Sequence, residues 1–334
     1  MLNKISELAK TNLKISDFHL REGSNIAYRV LGEIFQDTNS LIKKSDLEEL
    51  LKKNCTEEEV QNFHKNNELD CAINLADFRF RANFFKTLNG IAAVLRRIVT
   101  KIPSMEELNL PPIMYEIVEA HKGLVLVTGP TGSGKSTTLA AIIGKINELR
   151  PKNIITIEDP VEFIHHDKKS IISQREVGKQ TSSFARALKS ALREDPDVIL
   201  VGEMRDLETI SMALTAAETG HLVLGTLHTS GAPNTINRII DVFPPGQQGQ
   251  IRAQIAESLK MIITQKLIKK KDGTGRVAAF EILTCTPPIK NLIREAKVHQ
   301  IPSVMQTSQK DGMVTMEKSI EILTQSGAIS GAID

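Results

Sequence analysis

The sequence predicts an α/β protein of two domains: a small N-terminal α/β domain over residues 1–100, and a larger phosphate-loop domain over 113–334 with a mostly parallel sheet. Three observations carry this. The chain has 334 residues, enough for two separate cores. From about Ile113 short apolar runs alternate with helix-like stretches, the rhythm of a sheet with helices on both faces. And Gly129-Pro-Thr-Gly-Ser-Gly-Lys135-Ser136 stands between the apolar run Leu124–Val127 and the helix-like stretch from Thr137. That order of strand, glycine loop and helix is the context a phosphate-binding loop requires.

In the first domain, Ile5 to Leu13 reads as an amphipathic helix. Asp17-Phe-His-Leu20 and Ala27-Tyr-Arg-Val30 read as short strands, with Gly23 and Gly32 in turns. Asp46 to Lys53 carries Leu47, Leu50 and Leu51 at helical spacing. Asp77-Phe-Arg-Phe-Arg-Ala82 alternates polar and apolar residues, the mark of a half-buried strand, and Gly90 to Arg97 reads as another. Residues 101–112 read as a linker, with prolines at 103, 111 and 112 and Ser104-Met-Glu-Glu107 as a helix start.

In the second domain the strand candidates are Leu124–Thr128, Ile154–Glu158, Val198–Gly202, Leu222–Leu227 and Val277–Ile282. Ser183–Arg193 and Leu207–Thr219 read as helices between them. Gln247 to Lys270 reads as one long amphipathic helix, with Lys269-Lys-Lys271 its solvated end, and the tail from Pro287 as mainly helical.

The loop points to a nucleoside triphosphate. Its glycines let the main chain wrap closely around phosphates with N–H groups turned inward, and the following helix adds its positive dipole end. Gly129, Pro130, Thr131, Gly132, Ser133, Gly134, Lys135, Ser136 and Thr137 form the expected binding set. In it Lys135 reaches the β- and γ-phosphates, and Ser136 holds Mg²⁺.

Acids follow at strand ends. Asp197-Val-Ile-Leu-Val-Gly-Glu203 is an apolar strand ending in Glu203, the candidate general base that positions water for attack on the γ-phosphate. Glu158, Asp159 and Glu162 crowd the end of the strand after the loop helix. Three carboxylates there repel one another unless a cation or ordered water offsets them, so Glu158 and Asp159 are candidate Mg²⁺ ligands and Glu162 a candidate catalytic acid group. His228, at another strand's carboxyl end, is a candidate γ-phosphate sensor or relay to the base; His221, at the start of the same segment, is weighed evenly against a structural role. Phosphoryl transfer builds negative charge that arginines stabilise, and Arg79, Arg81 and Arg96 on strands of the small domain are the candidates, against the alternative of solvated strand faces. Adjacent His165 and His166 do not converge on one ion and read as a polar turn.

Composition removes other classes. A net charge of +2 with no Trp and two Tyr supports neither a basic nucleic-acid body nor a base-stacking platform. Three cysteines, 55, 71 and 285, odd in number and far apart, fit a reducing cytosol better than a zinc site or disulfide framework. Met1-Leu-Asn-Lys-Ile-Ser-Glu does not read as a signal peptide, and no apolar run approaches the roughly 20 residues of a membrane span.

Together the boxes carry a family resemblance over nearly the whole chain. The phosphate loop, the aspartate box Ile157–Phe163, the Walker B region Ala191–Asp206 and the histidine box Thr219–Thr229 occur in order. In these the chain resembles the type IV pilus retraction ATPases, the twitching-motility motors of the secretion ATPase superfamily. The resemblance implies a PAS-like N-terminal domain, a RecA-like ATPase domain and a homohexameric ring. It implies ATP and Mg²⁺ bound between the domains, with Arg79, Arg81 and Arg96 facing the nucleotide. It also implies a cytoplasmic motor docked on the inner-membrane pilus machinery through a platform protein, without direct nucleic-acid contact. In the tail, Thr286-Pro-Pro-Ile-Lys-Asn-Leu-Ile-Arg-Glu295 resembles the retraction motif Ala-Ile-Arg-Asn-Leu-Ile-Arg-Glu, with Pro288 for Ala and Lys290 for Arg. A related secretion or pilus-assembly ATPase is the alternative within this class. A nucleic-acid-stimulated motor and a small-molecule kinase are alternatives outside it.

Overall fold

The computed structural model describes residues 1–330 apart from 13–14, 31, 76–77 and 99–100. Leu13, Asp77 and Val99, the ends of expected elements, therefore lie outside the described residues, as does Thr100. The chain divides into two compact units, Met1–Lys101 and Ile102–Asp334.

The first unit contains α1 (Leu2–Thr11), β1 (Ile15–Arg21), β2 (Asn25–Val30), β3 (Glu33–Leu41), α2 (Lys44–Asn54), α3 (Glu57–Asn66), β4 (Glu68–Leu75), β5 (Phe78–Thr87) and β6 (Gly90–Ile98). Its sheet runs β3-β2-β1-β6-β5-β4 with every pairing antiparallel. Alternation sets the faces. Phe80, Ala82 and Phe84 of β5 turn inward and are fully buried, while Arg79 and Arg81, which alternate with them, turn the other way. Ile5 and Ala9 of α1, Leu47, Leu50 and Leu51 of α2 and Phe63 of α3 close the same core. α3, unforeseen in the sequence, starts on a reciprocal cap: Thr56 Oγ1 accepts from the Glu59 amide and Glu59 Oε2 from the Thr56 amide. β3 was equally hidden, because nearly all of it is exposed and its sequence does not alternate.

The second unit contains α4 (Tyr115–Glu119), β7 (Gly123–Thr128), α5 (Lys135–Leu149), β8 (Asn153–Glu158), β9 (Ile171–Glu176), α6 (Phe184–Ala191), β10 (Val198–Val201), α7 (Leu207–Glu218), β11 (Leu222–Leu227), α8 (Ala232–Asp241), α9 (Gln248–Ser258), β12 (Leu259–Lys269), β13 (Arg276–Thr284), α10 (Pro287–Arg294), α11 (Ile301–Thr307) and α12 (Met316–Gln325). Strand order is β13-β12-β7-β11-β10-β8-β9, parallel except for the antiparallel edge strand β13. Strands β7, β10 and β11 are buried at every residue, which is why they read as unbroken apolar runs. Leu124 and Leu126 of β7 face a core shared with α7, α8, α9 and α10, whereas Val125 and Val127 face α4 and α5. Helices thus cover both faces.

Two expectations fail here. Residues 102–112 are not a free connector: Met105 is fully buried and Leu110 nearly so, in the core beneath α5. The cap at Ser104 does form, with Glu107 donating its amide to Ser104 Oγ and Ser104 its amide to Glu107 Oε2, but the chain completes only a turn before Asn109 enters positive φ and prolines follow. The long helix over Gln247–Lys270 is two elements. α9 ends at Ser258 and β12 begins at once, pairing in parallel with β7 from Leu259. The β-branched run Ile262-Ile263-Thr264 fills a place beside β7, and that tertiary pairing overrides helical spacing. Lys269 is accordingly a strand end.

Phe80 lies at the centre of the first core, edge-on to Phe18 with ring centroids 5.8 Å apart. Phe80→Ala should destabilise this unit by about 3–5 kcal/mol, measured as a lower urea midpoint for its unfolding; an unchanged midpoint would remove Phe80 from the core's energetics.

Candidate functional site

Parallel pairing brings the carboxyl ends of β7, β8, β10 and β11 to one edge of the sheet, and the sequence-predicted loop, acids and His228 stand at these ends. The loop leaves β7 at Thr128 and enters α5 at Lys135. Gly134, at φ +91°, supplies the left-handed turn into the helix. No side chain caps α5, so the amides of its first turn have no side-chain acceptor. Ser133 Oγ is buried and has no hydrogen-bond partner. Lys135 is buried as well, and its Nζ donates to the carbonyls of Gly129 at 2.8 Å and Pro130 at 3.1 Å. Burial holds the Lys135 ammonium below its ordinary pKa, while the charges of Glu203 and Glu162 pull it back up. An uncapped helix start, an unpartnered hydroxyl and a buried ammonium on one loop fit a polyanion such as a triphosphate. Pro130, Thr131, Gly132 and Ser136 are exposed, and Thr137 is half-buried.

Glu203 is held firmly by its neighbours in sequence. The Gly202 amide donates to the Ile157 carbonyl at 2.7 Å, and the Met204 amide to the Thr226 carbonyl at 3.0 Å. Its backbone is therefore tied to β8 on one side and β11 on the other. Its Oε1 is shared by His228 Nε2, at 3.2 Å, and Arg205 Nε. Arg205, two residues on, escaped the sequence reading; the short Glu-Met-Arg spacing was its only signal.

Glu158 is half-buried and its Oε1 accepts from Thr156 Oγ1 at 2.6 Å and Gln174 Nε2 at 3.2 Å. Burial pushes its pKa up, and the charge of Glu162 adds to this. Asp159 and Glu162 are exposed. Among the described residues no three His, Cys, Asp or Glu side chains gather as a metal cluster, so Ser136, Glu158 and Asp159 do not make an all-protein cage. The donor set present suits Mg²⁺, which binds through one or two protein oxygens with phosphates and waters completing its shell.

The two histidines separate. His228 follows β11 at the loop end of the sheet. His221 precedes β11, about 20 Å away along the strand, with Nδ1 3.0 Å from the Ala216 carbonyl and 3.3 Å from Thr219 Oγ1. It belongs to the end of α7.

In the first unit Arg79, Arg81 and Arg96 share the sheet face opposite the core. Arg81 and Arg96 stand directly across from each other on β5 and β6, a like-charge pairing that costs stability unless offset. Asp70 offsets the first, accepting from Arg81 Nη2 at 2.7 Å, and the largely buried Asp17 the second, accepting from Arg96 Nε at 2.9 Å. Arg97 lies on the other face, its guanidinium 4.2 Å from the Phe78 ring centroid and its Nη1 bonded to the Ala9 carbonyl.

Because the folded chain raises the Glu158 pKa, ionising this carboxyl opposes folding. The cost vanishes below the unfolded value of about 4.3 and grows as pH rises through the folded one. Glu158→Gln keeps the acceptor oxygen without the charge. Its melting temperature should exceed the parent's at pH 8, with the difference closing towards pH 4; a difference constant with pH would count against burial as the cause.

Comparison with known proteins follows the same lines. A family model described as "Type II/IV secretion system protein" matches residues 29–273. A twitching motility protein of Neisseria gonorrhoeae is 57% identical over 269 residues, 80% of this chain and 72% of that protein. The type IV pilus retractation ATPase PilT of Pseudomonas aeruginosa is 46% identical over 329 residues, 98% and 95% of the two chains. Among solved structures, the pilus retraction motor PilT with bound ADP superposes with TM-score 0.91 at 46% identity, covering 99% of this chain and 94% of that one. The Legionella pneumophila ATPase DotB superposes with TM-score 0.85 at 30% identity, covering 98% and 92%. With the loop, the acidic strand ends and the histidine box all inside the matched stretch, this chain belongs to the type II/IV secretion system protein family.

Proposed function

We propose that the chain is a ring-forming motor ATPase that hydrolyses ATP to power type IV pilus retraction. The observation that carries the catalytic half is Glu203, fixed by backbone bonds on both flanks, paired with His228 and near enough to Lys135 for its charge to act there. In this reading the loop amides and the first turn of α5 take the phosphates of ATP. Lys135 exchanges the carbonyls of Gly129 and Pro130 for phosphate oxygens. A water oxygen then bonds to the γ-phosphorus as the bond to the ADP oxygen breaks, and Glu203 takes the water's proton. His228 shares Glu203 and reads the γ-phosphate. Ser136, with Glu158 and Asp159 through water, would hold Mg²⁺, whose charge offsets that of the phosphates. Arg79, Arg81 and Arg96 supply further positive charge, Arg81 and Arg96 exchanging Asp70 and Asp17 for phosphate. Glu162 shapes the field around the loop.

The mechanical half rests on the names of the Neisseria and Pseudomonas relatives, a twitching motility protein and a pilus retraction ATPase, and on the tail. Pro288 replaces Ala of the retraction motif at the start of α10, where the first turn needs no amide donors, so the helix forms. Lys290 replaces Arg yet still approaches Glu257 of α9 at 3.7 Å, beside Arg294, which binds the same carboxylate. The ring is a homohexamer that works on a platform protein of the inner-membrane pilus machinery. Among the described residues no helix is long and apolar enough to cross a membrane.

Glu203→Gln should keep nucleotide binding and lower turnover by about 10²–10⁴-fold, read by steady-state hydrolysis alongside nucleotide titration; unchanged turnover would refute Glu203 as the base. Cells carrying Lys135→Ala or Glu203→Gln should be hyperpiliated and unable to retract, scored by microscopy of labelled pili. Loss of pili would instead assign an assembly motor.

A further inference from the structure

We propose that Gln265 is a positioning residue that shapes the phosphate loop before nucleotide arrives, a role that rests on the nucleotide site proposed above. Gln265 lies on β12, in the stretch whose spacing reads as helix, and is 3% exposed. Three parts of the loop region converge on it. Thr138 Oγ1, in the first turn of α5, donates to Gln265 Oε1 at 2.7 Å. A Cβ on Gly134 would stand 2.7 Å from Gln265 Nε2, and a Cβ on Gly129 would stand 2.4 Å from the Gln265 carbonyl oxygen. One residue thus backs the first glycine with its main chain, the last with its amide nitrogen, and the helix start with its amide oxygen.

Its own place is fixed by the sheet. Thr264, immediately before it, pairs in register with Thr128, and their hydroxyls meet at 3.0 Å. The wall therefore stands at a set height beside the end of β7, whatever the loop does.

The physical need is conformational. A loop with three glycines in six residues has many shapes open to it, and fixing them opposes binding. A close wall on one side removes many of those shapes in advance. A carboxamide suits the position because it accepts from Thr138 and is neutral beside a polyanion. Leucine would match its size but leave the buried Thr138 hydroxyl without its acceptor. Glutamate would keep that acceptor and bring a negative charge next to Gly134. Gln265 acts through the loop, so its effect belongs to nucleotide affinity rather than to the bond-breaking step.

The test uses the full chain as Gln265→Leu, Gln265→Glu, Thr138→Val and the Gln265→Leu/Thr138→Val double variant. A fluorescent ADP analogue is titrated with Mg²⁺, ATP hydrolysis is measured, and melting is recorded without nucleotide. Gln265→Leu should raise Kd and KM about tenfold with kcat changed less than about twofold, and the double variant should be no weaker than Gln265→Leu. Gln265→Glu buries a carboxylate and should melt below the parent; well below its melting temperature it should still bind nucleotide more weakly than an equally folded Thr138→Val, which a purely structural role would not produce. Should Gln265→Leu fail to fold, weaker binding by a folded Thr138→Val carries the same expectation. Kd and KM within twofold of the parent in folded Gln265→Leu, or a fall in kcat at unchanged Kd, would overturn the proposal. A parent that fails to bind the analogue would overturn the nucleotide-site reading itself.

Discussion

Parallel pairing of β7 with β11, and of β10 with β8, is the constraint on which the second unit depends. Parallel strands in register carry their carboxyl ends towards the same edge, so residues far apart in sequence are delivered there without any direct attraction. Lys135, Glu158, Glu203 and His228 span nearly a hundred residues and reach that edge because Val198 stands opposite both Ile154 and Leu222, and Leu222 opposite Gly123. The polar groups then inherit a scaffold of hydrogen-bonded strands packed in apolar cores. Both sheet faces are sealed by helices, and the free energy of that burial fixes in place charges that would otherwise drift apart in water.

Where chemistry concentrates in a short segment, the chain was readable before any coordinates. Gly129–Ser136 needs its neighbours only for context, and Glu203 and His228 advertise themselves as polar residues ending apolar runs. The five strands expected in the second unit all form. What stayed hidden depends on contacts made across long separations. β12 looks helical until β7 is beside it. Met105 looks like part of a linker until the face of α5 is there to bury it. Arg205 is an ordinary exposed arginine until the end of β10 aims Glu203 at it. Gln265, with its partner Thr138 a hundred and twenty-seven residues away, has no local signature at all.

The first unit follows the same division. Alternation in β5 separates Phe80 from Arg79 and Arg81, so the strand and its two faces could be read directly. The acids that steady the arginines could not, since Asp70 and Asp17 come from different strands on opposite sides of the β5–β6 pair. An arginine destined for a phosphate and one satisfied by a carboxylate look identical in sequence; here Arg81 and Arg96 each hold a carboxylate.

The junction between α9 and β12 carries a mechanical meaning. Helix gives way to strand between Ser258 and Leu259 with no intervening residue, so the chain has no slack there. One residue before the junction, Glu257 of α9 is tied to Lys290 and Arg294 of α10. Six strand residues past the junction, about 20 Å, stands Gln265 behind the loop. The ion pairs of α10 thus sit one residue from the start of the strand that carries Gln265, so a shift of α10 against α9 bears on the same strand that backs the loop.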